Sequence, residues 1–240
     1  MNTDKSHIPQ FVQPAVTGSN GLFITNEDNM ALMSRYPDNY FDLAIVDPPY
    51  GIDADVKNNT DKKQTKKSAS KSKKYGDQLW DANIPTDEYF DELIRVSKRQ
   101  IVWGANYFGL TGGMIYWHKN VTMPTYSTGE LAWVSWLNKL DFVNITWHGM
   151  LQHDMSDKEI RIHPTQKPIK LYEWLLSKYA KQGDKILDTH LGSGSIAIAV
   201  DNVNKIEKME LTLTACELDE QYFKNTIARI NDKTNWQSLF

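Results

Sequence analysis

The chain has 240 residues, of which 40% are apolar and 24% charged, a composition that fits one medium-sized globular domain with a core of its own. No apolar run approaches the roughly 18 residues a membrane helix needs, and Met1 to Gln10 lack the apolar segment of a secretory signal. A cytoplasmic setting with no membrane role is expected. The net charge of −3 argues against a uniformly basic surface, yet residues 57 to 74 hold eight lysines against the single acid Asp61, a local charge of +7 that leaves −10 on the rest.

In chain order, Asp28 is placed to cap a first helix, and Phe41 to Val46 reads as a buried strand leading into Asp47-Pro48-Pro49-Tyr50. The lysine-, serine- and threonine-rich stretch 57–74 has too little apolar content to fold alone and is expected to be a mobile loop. Thr86 to Lys98 places Phe90, Leu93, Ile94 and Ser97 on one helical face, with Asp87 and Glu88 suited to its first turn. Gln100 to Trp103 and Gly113 to Trp117 read as strands. Residues 119–161 show no clean alternation and are expected to form a small insertion for target recognition.

A second helix is predicted to start at Pro168, with Leu171, Trp174, Leu175 and Tyr179 as its stripe and Gly183 as a left-handed cap. Lys185 to Leu187 and Leu211 to Cys216 complete the clear strands. Between them lie Leu191-Gly192-Ser193-Gly194-Ser195, a helical Ile196 to Val203, and a polar stretch, Asn204 to Glu210, read as a surface insertion. Tyr222, Phe223, Thr226, Ile227 and Ile230 give a last helix over Asp219 to Asp232. This strand–helix alternation predicts a doubly wound, mainly parallel α/β sheet with helices on both faces and ligands beyond the carboxyl ends of the strands.

The tetrapeptide sits where such a sheet opens. Two consecutive prolines stiffen the turn and leave carbonyls without local partners. A carboxylate and a proline carbonyl are two acceptors for the two hydrogens of an exocyclic amino group, and an adjacent aromatic can stack on a base. By itself the motif is equally an ordinary strand-ending turn. The later strand, glycine loop and helix add a site where backbone approaches a ligand closely at a helix N-terminus. Glu217, ending the next strand, is spaced to take ribose hydroxyls. The histidines lack compact ligand spacing, so no metal is expected, and Cys216 reads as a small buried hydrophobe. For most of the tryptophans a core position is the more common role.

Asp47-Pro48-Pro49-Tyr50, then His163-Pro164-Thr165-Gln166-Lys167-Pro168, then Leu187-Asp188 with Gly192-Ser193-Gly194, in this order, resembles the β-class amino DNA methyltransferases over residues 20 to 232. The resemblance implies a seven-stranded, Rossmann-like methyltransferase fold, S-adenosylmethionine as cofactor, and a target base flipped out of double-stranded DNA. It gives Asp47 and the Pro48 carbonyl the target amino group, with Pro49 stiffening the turn and Tyr50 stacking on the base. Asp28, Thr165, Lys167, Asp188, His190, Gly192, Gly194, Ser195 and Glu217 become the cofactor-binding set. His190 departs from the family, which usually reads Asp-Pro-Phe where this chain reads Asp188-Thr189-His190, so altered cofactor affinity is expected.

Among the lysines, Lys62, Lys63, Lys66, Lys67, Lys71, Lys73 and Lys74 are the expected phosphate contacts, because they follow the tetrapeptide directly. Without aromatics they bind backbone and read no sequence. Adenine-N6 is the expected target, since the family tends to pair this tetrapeptide with adenine. Cytosine-N4 methylation and a non-catalytic DNA-binding role are the alternatives. A second copy of the chain and a cognate restriction nuclease are the further candidate partners.

Overall fold

The computed structural model describes residues 21–51, 84–121, 127–148 and 151–234. The lysine stretch 57–74, and with it every expected phosphate contact, lies outside the described residues.

Ten strands and five helices make up the described chain: β1 (Leu22–Asn26), α1 (Asn29–Ser34), β2 (Leu43–Val46), α2 (Asp87–Val96), β3 (Gln100–Trp103), β4 (Gly113–His118), β5 (Gly129–Val134), β6 (Leu140–Asn144), β7 (Trp147–His148), β8 (Leu151–Gln152), α3 (Ile169–Tyr179), β9 (Lys185–Asp188), α4 (Ser195–Glu207), β10 (Thr212–Glu217) and α5 (Glu220–Thr234). The main sheet runs β1-β10-β9-β2-β3-β5-β4-β6, with β7 and β8 forming a separate ribbon. Only β5 is antiparallel to its neighbours. Eight strands rather than the expected seven are present, the eighth being β6, paired in parallel along the outside of β4.

The period-two alternation of strands partitions the core between the faces. Leu43 and Ile45 of β2, Ile101 and Trp103 of β3, Ile186 of β9 and Leu213 and Ala215 of β10 pack with α3, α4 and Ile230 of α5. Their neighbours in sequence, Ala44, Val46, Val102, Leu187 and Cys216, face the other way, toward Leu32 and Met33 of α1 and Tyr89, Leu93 and Val96 of α2. Both faces are therefore covered, which explains the unbroken apolar strands. Helix α4 is buried on nearly all sides, from Ser195 through Val203, as a helix sandwiched between a sheet and other helices must be.

Three expectations are corrected. Residues 119–161 are not a separate insertion throughout, because Gly129–Val134 and Leu140–Asn144 are strands of the main sheet. Their pattern was obscured by polar and tryptophan side chains and, in β6, by the edge position that leaves Leu140 and Phe142 exposed. Asn204 to Glu210 is no surface insertion but the last turn of α4 and a tight reversal. There Lys208 and Glu210 take positive φ, and the Asn204 amide clamps both backbone groups of Leu211. Gly183 does not cap α3, which ends at Ala180. It sits three residues later in a turn, with φ +79° and its N–H donating to the Met209 carbonyl.

The chain reverses its direction of travel across the sheet between β9 and β2: β9 leads outward to β10 and β2 outward to β3. In open α/β sheets such a switch point opens a crevice at the carboxyl ends of the strands. Asp47 follows β2, Asp188 ends β9 and Glu217 ends β10, so all three acids converge there.

Candidate active site

A cleft of about 930 Å³ opens at this switch point. Its wall includes Asp28 before α1, Asp47 and Pro49 after β2, Tyr89 of α2, Thr165 and Lys167 before α3, His190 and Gly192 after β9, and Glu217 of β10. Six carboxylates (Glu27, Asp28, Asp47, Glu217, Asp219 and Glu220) line it against the single lysine Lys167. Such a wall suits a ligand carrying positive charge and disfavours a phosphate-bearing dinucleotide.

On the cofactor side, Gly194 sits at the N-cap of α4 with φ +74°, a conformation only glycine adopts without strain. The Thr226 hydroxyl of α5 bonds the Gly192 carbonyl, and Arg229 donates to the Ser193 carbonyl at 2.6 Å, so α5 fixes the loop from behind. The Glu217 carboxylate accepts from the Gly192 N–H at 2.9 Å and from the Asp219 N–H at 3.0 Å. Burial raises its pKa. Asp28 caps α1, accepting from the N–H groups of Met30 and Ala31 at 2.9 and 3.0 Å, and faces the cleft as well.

His190 packs edge-on to Tyr89 with ring centroids 5.3 Å apart, its Nε2 lying 3.0 Å from the Asn29 amide nitrogen and its Nδ1 2.9 Å from the Thr189 hydroxyl. Burial pushes it down to about 4, so it is neutral at pH 7. His163 is likewise held down to about 3, by burial and then by the charges of Lys167 and Arg161. Its ring meets Tyr222 at 4.5 Å.

On the other side of the cleft lies a chain of buried charges. The Asp47 carboxylate accepts the Tyr50 hydroxyl at 2.5 Å through Oδ1 and pairs through Oδ2 with the Lys167 ammonium. Lys167, itself 4% exposed, lies 3.1 Å from the Tyr50 oxygen and 3.1 Å from Glu130 Oε2. Glu130 in turn pairs with Lys119, whose Nζ stands 4.8 Å from the Trp117 ring centroid. Burial would raise the Glu130 carboxyl, but the two lysines outweigh it and hold the group down to about 2. Asp47 is raised, since burial and the nearby Glu130 charge outweigh Lys167 and Tyr50. The Tyr50 ring stacks on Tyr107, with centroids 4.9 Å apart and planes 16° apart, and the Gly104 backbone closes against it: a Cβ there would come within 2.3 Å of Cε1.

The structure thus brings Asp28, Asp47, Pro49, Thr165, Lys167, His190, Gly192 and Glu217 onto one cleft. It does not place Pro48, Tyr50, Asp188, Gly194 or Ser195 on that wall. Asp188 and Ser195 are fully buried. Asp188 shapes the loop by accepting the His190 N–H at 3.0 Å, and burial pushes it up to about 8. Sequence reasoning missed Glu130, Lys119, Tyr89, Tyr107 and Tyr222. Only Glu130 carried a signal: an acid inside the strand Glu130-Leu131-Ala132-Trp133-Val134 needs a partner once buried. Among the described residues no group of three His, Cys, Asp or Glu side chains could hold a metal, and no helix is long and apolar enough to cross a membrane.

Three solved structures similar over almost the whole chain are methyltransferases. M1.HpyAVI in complex with SAM has a TM-score of 0.53 at 18% identity, covering 87% of this chain and 99% of that one. The PvuII DNA methyltransferase (cytosine-N4-specific) scores 0.52 at 13% identity, covering 90% and 94%. TTHA0409 from Thermus thermophilus, a DNA modification methylase complexed with S-adenosyl-L-methionine, scores 0.51 at 13% identity, covering 90% and 96%. At these identities the likeness defines the fold, that of a methyltransferase. No curated protein matches the chain in sequence. The DNA methylase model for the N6 and N4 enzymes matches residues 55–229, and the chain belongs to that family.

Proposed function

We propose that this chain methylates the N6 amino group of an adenine flipped out of duplex DNA, with S-adenosylmethionine as donor. The observation that carries the reading is the Asp47 carboxylate, held at the carboxyl end of β2 on the same acid-lined cleft as Gly192 and Glu217. The lining fits the donor, whose sulfonium and ammonium are cations and whose ribose offers hydroxyls to a carboxylate. S-adenosylmethionine supplies an electrophilic methyl group, chemistry that no side chain of the protein provides.

Glu217 would take the ribose hydroxyls, Gly192 would let the backbone approach the ligand, and Asp28, Thr165 and His190 would complete the wall. Asp188, Gly194 and Ser195 would act from behind the loop, keeping its shape. Asp47 and the Pro48 carbonyl would accept the two amino hydrogens, orienting the nitrogen lone pair toward the methyl group. Pro49 would keep the turn rigid. For Tyr50 to stack on the base, Tyr107 has to leave its face. The 44% exposure of Tyr107 in the turn after β3 leaves it room to swing aside. The lysines from Lys62 to Lys74 would neutralise phosphates.

Incubation of unmethylated duplex DNA with the protein and S-adenosylmethionine, followed by mass spectrometry of the nucleosides, is expected to yield N6-methyldeoxyadenosine. Asp47→Ala should abolish the product while calorimetry still detects donor binding. N4-methyldeoxycytidine as product would overturn the choice of base, and near-normal turnover by Asp47→Ala would overturn the role of the carboxylate.

A further inference from the structure

We propose that Lys167, Glu130 and Lys119 are positioning residues, a charge chain of alternating sign that holds Asp47 ionised and fixed in direction as an acceptor for the substrate amino group. This rests on the reading of Asp47 as the residue that holds the base. The four side chains come from four separate segments: the turn after β2, the loop before α3, β5 and the residue after β4. Together they carry two negative and two positive charges, in the order Asp47, Lys167, Glu130, Lys119. Burying ions is costly, and a buried ion pair is weak evidence for stability. A chain of four leading to the one carboxylate in the catalytic turn therefore calls for a reason other than holding the fold together.

The reason lies in what an acceptor must be. A carboxylate offers about four lone-pair sites when ionised, whereas its protonated form donates from one oxygen. The Tyr50 hydroxyl uses one site on Oδ1 and Lys167 one on Oδ2, which leaves a free site on each oxygen for the amino group. Protonation would turn one of these into a donor facing a donor.

Asp47 is surrounded by groups that push toward that protonation. Glu130 faces it from β5, Asp188 from the end of β9, and the phenols of Tyr50, Tyr89 and Tyr172 from its own turn, α2 and α3. Lys167 is the cation that opposes them. Lys119 keeps Glu130 from claiming Lys167 entirely and from adding an uncompensated negative charge behind it.

The test is the pH dependence of kcat with saturating donor and DNA in the wild type, Lys167→Met, Lys119→Met, Lys119→Arg and Glu130→Gln. Removing either positive charge is expected to move the acid limb of the profile up, by about one to two pH units for a charge several ångströms away in a partly buried site. Glu130→Gln is expected to move it down, because a negative charge has been taken from beside Asp47, and Lys119→Arg should restore the wild-type limb. Opposite shifts from two neighbours are a signature that a merely structural role does not produce.

Glu130 and Lys119 do not line the cleft, so donor affinity measured by calorimetry should stay unchanged in their variants. Their side chains are 22% and 15% exposed, so these two keep the test available if Lys167→Met fails to fold. Limbs that stay in place, or that move the same way in Lys119→Met and Glu130→Gln, overturn the chain while leaving Asp47 as the base-holding residue. Methylation that survives Asp47→Ala overturns that reading instead.

Discussion

Gly192 and Gly194 lie two residues apart in one loop, both with positive φ, +53° and +74°, yet replacing them by alanine should have different consequences. A left-handed conformation costs an ordinary residue about 1–2 kcal/mol. At Gly192 that is the whole cost, since the nearest atom to an added Cβ is the His190 carbonyl oxygen at 3.8 Å. At Gly194 the Cβ would lie 2.7 Å from Thr226 Cγ2 and 2.9 Å from Ile230 Cδ1, and both of those side chains are fully buried. Forcing extra volume into a packed core adds about 1–3 kcal/mol. Gly194→Ala is therefore expected to lower stability in urea unfolding by about 2–5 kcal/mol in all, and Gly192→Ala by about 1–2 kcal/mol. Thr226→Ser removes the clashing methyl while keeping the hydroxyl that bonds Gly192, and should recover part of the loss in a Gly194→Ala background. Donor affinity should respond in the reverse order, because Gly192 lines the cleft and Gly194 does not. Equal destabilisation at the two positions would refute the argument that α5 packs against Gly194 to set the loop.

Two further outcomes follow from the buried acids and histidines. Glu217→Gln should weaken S-adenosylmethionine binding by about ten- to a hundredfold in calorimetry, the worth of a hydrogen bond to a charged group; unchanged affinity would remove Glu217 from the site. Between pH 4 and 6.5 the unfolded chain protonates His163 and His190 while the folded one leaves them neutral, their folded values being about 3 and about 4. Over the same range Asp188, pushed up to about 8, keeps its proton only when folded. The unfolded state thus binds one proton more among these three groups, and stability rises with pH. From 6.5 to 8 only Asp188 differs, the folded state holds the extra proton, and stability falls. Among these groups the optimum lies near pH 6.5, and Asp188→Asn should flatten the decline in Tm toward pH 8. A decline equally steep in that variant would show that Asp188 is not its source.

The parts of this fold that were legible in the sequence are those where one physical demand dominates. Strands buried on both faces must be apolar throughout, so β2, β3, β9 and β10 stood out as continuous runs within two residues of their observed ends. The glycines before α4 and the prolines after β2 stood out because few other residues satisfy their backbone. Strands β5 and β6 were hidden because two demands compete in them. Glu130 sits in β5 for its charge, and edge strand β6 exposes Leu140 and Phe142 where a half-buried strand would alternate. Lys167 was legible as part of a motif but not as the partner of Asp47. Its contacts come from positions 47, 50 and 130, and only the folded sheet brings these together.

The two sides of the cleft handle charge in opposite ways, and the difference follows from what each must do. On the donor side the acids stand without matching cations: Glu217 meets only backbone N–H groups and Asp28 only the start of a helix. A wall left under-neutralised in this way gains when a cationic ligand arrives, which favours the charged donor over a neutral product of the same shape. On the base side the substrate is an uncharged amino group, and an unpaired buried carboxylate there would take up a proton rather than stay an acceptor. Pairing with Lys167 prevents this, and the pairing must leave lone pairs free, as a contact through one oxygen does. Acids unmatched where the ligand is charged and matched where it is neutral are the arrangement that transfer of a methyl group from a sulfonium to an amino nitrogen requires.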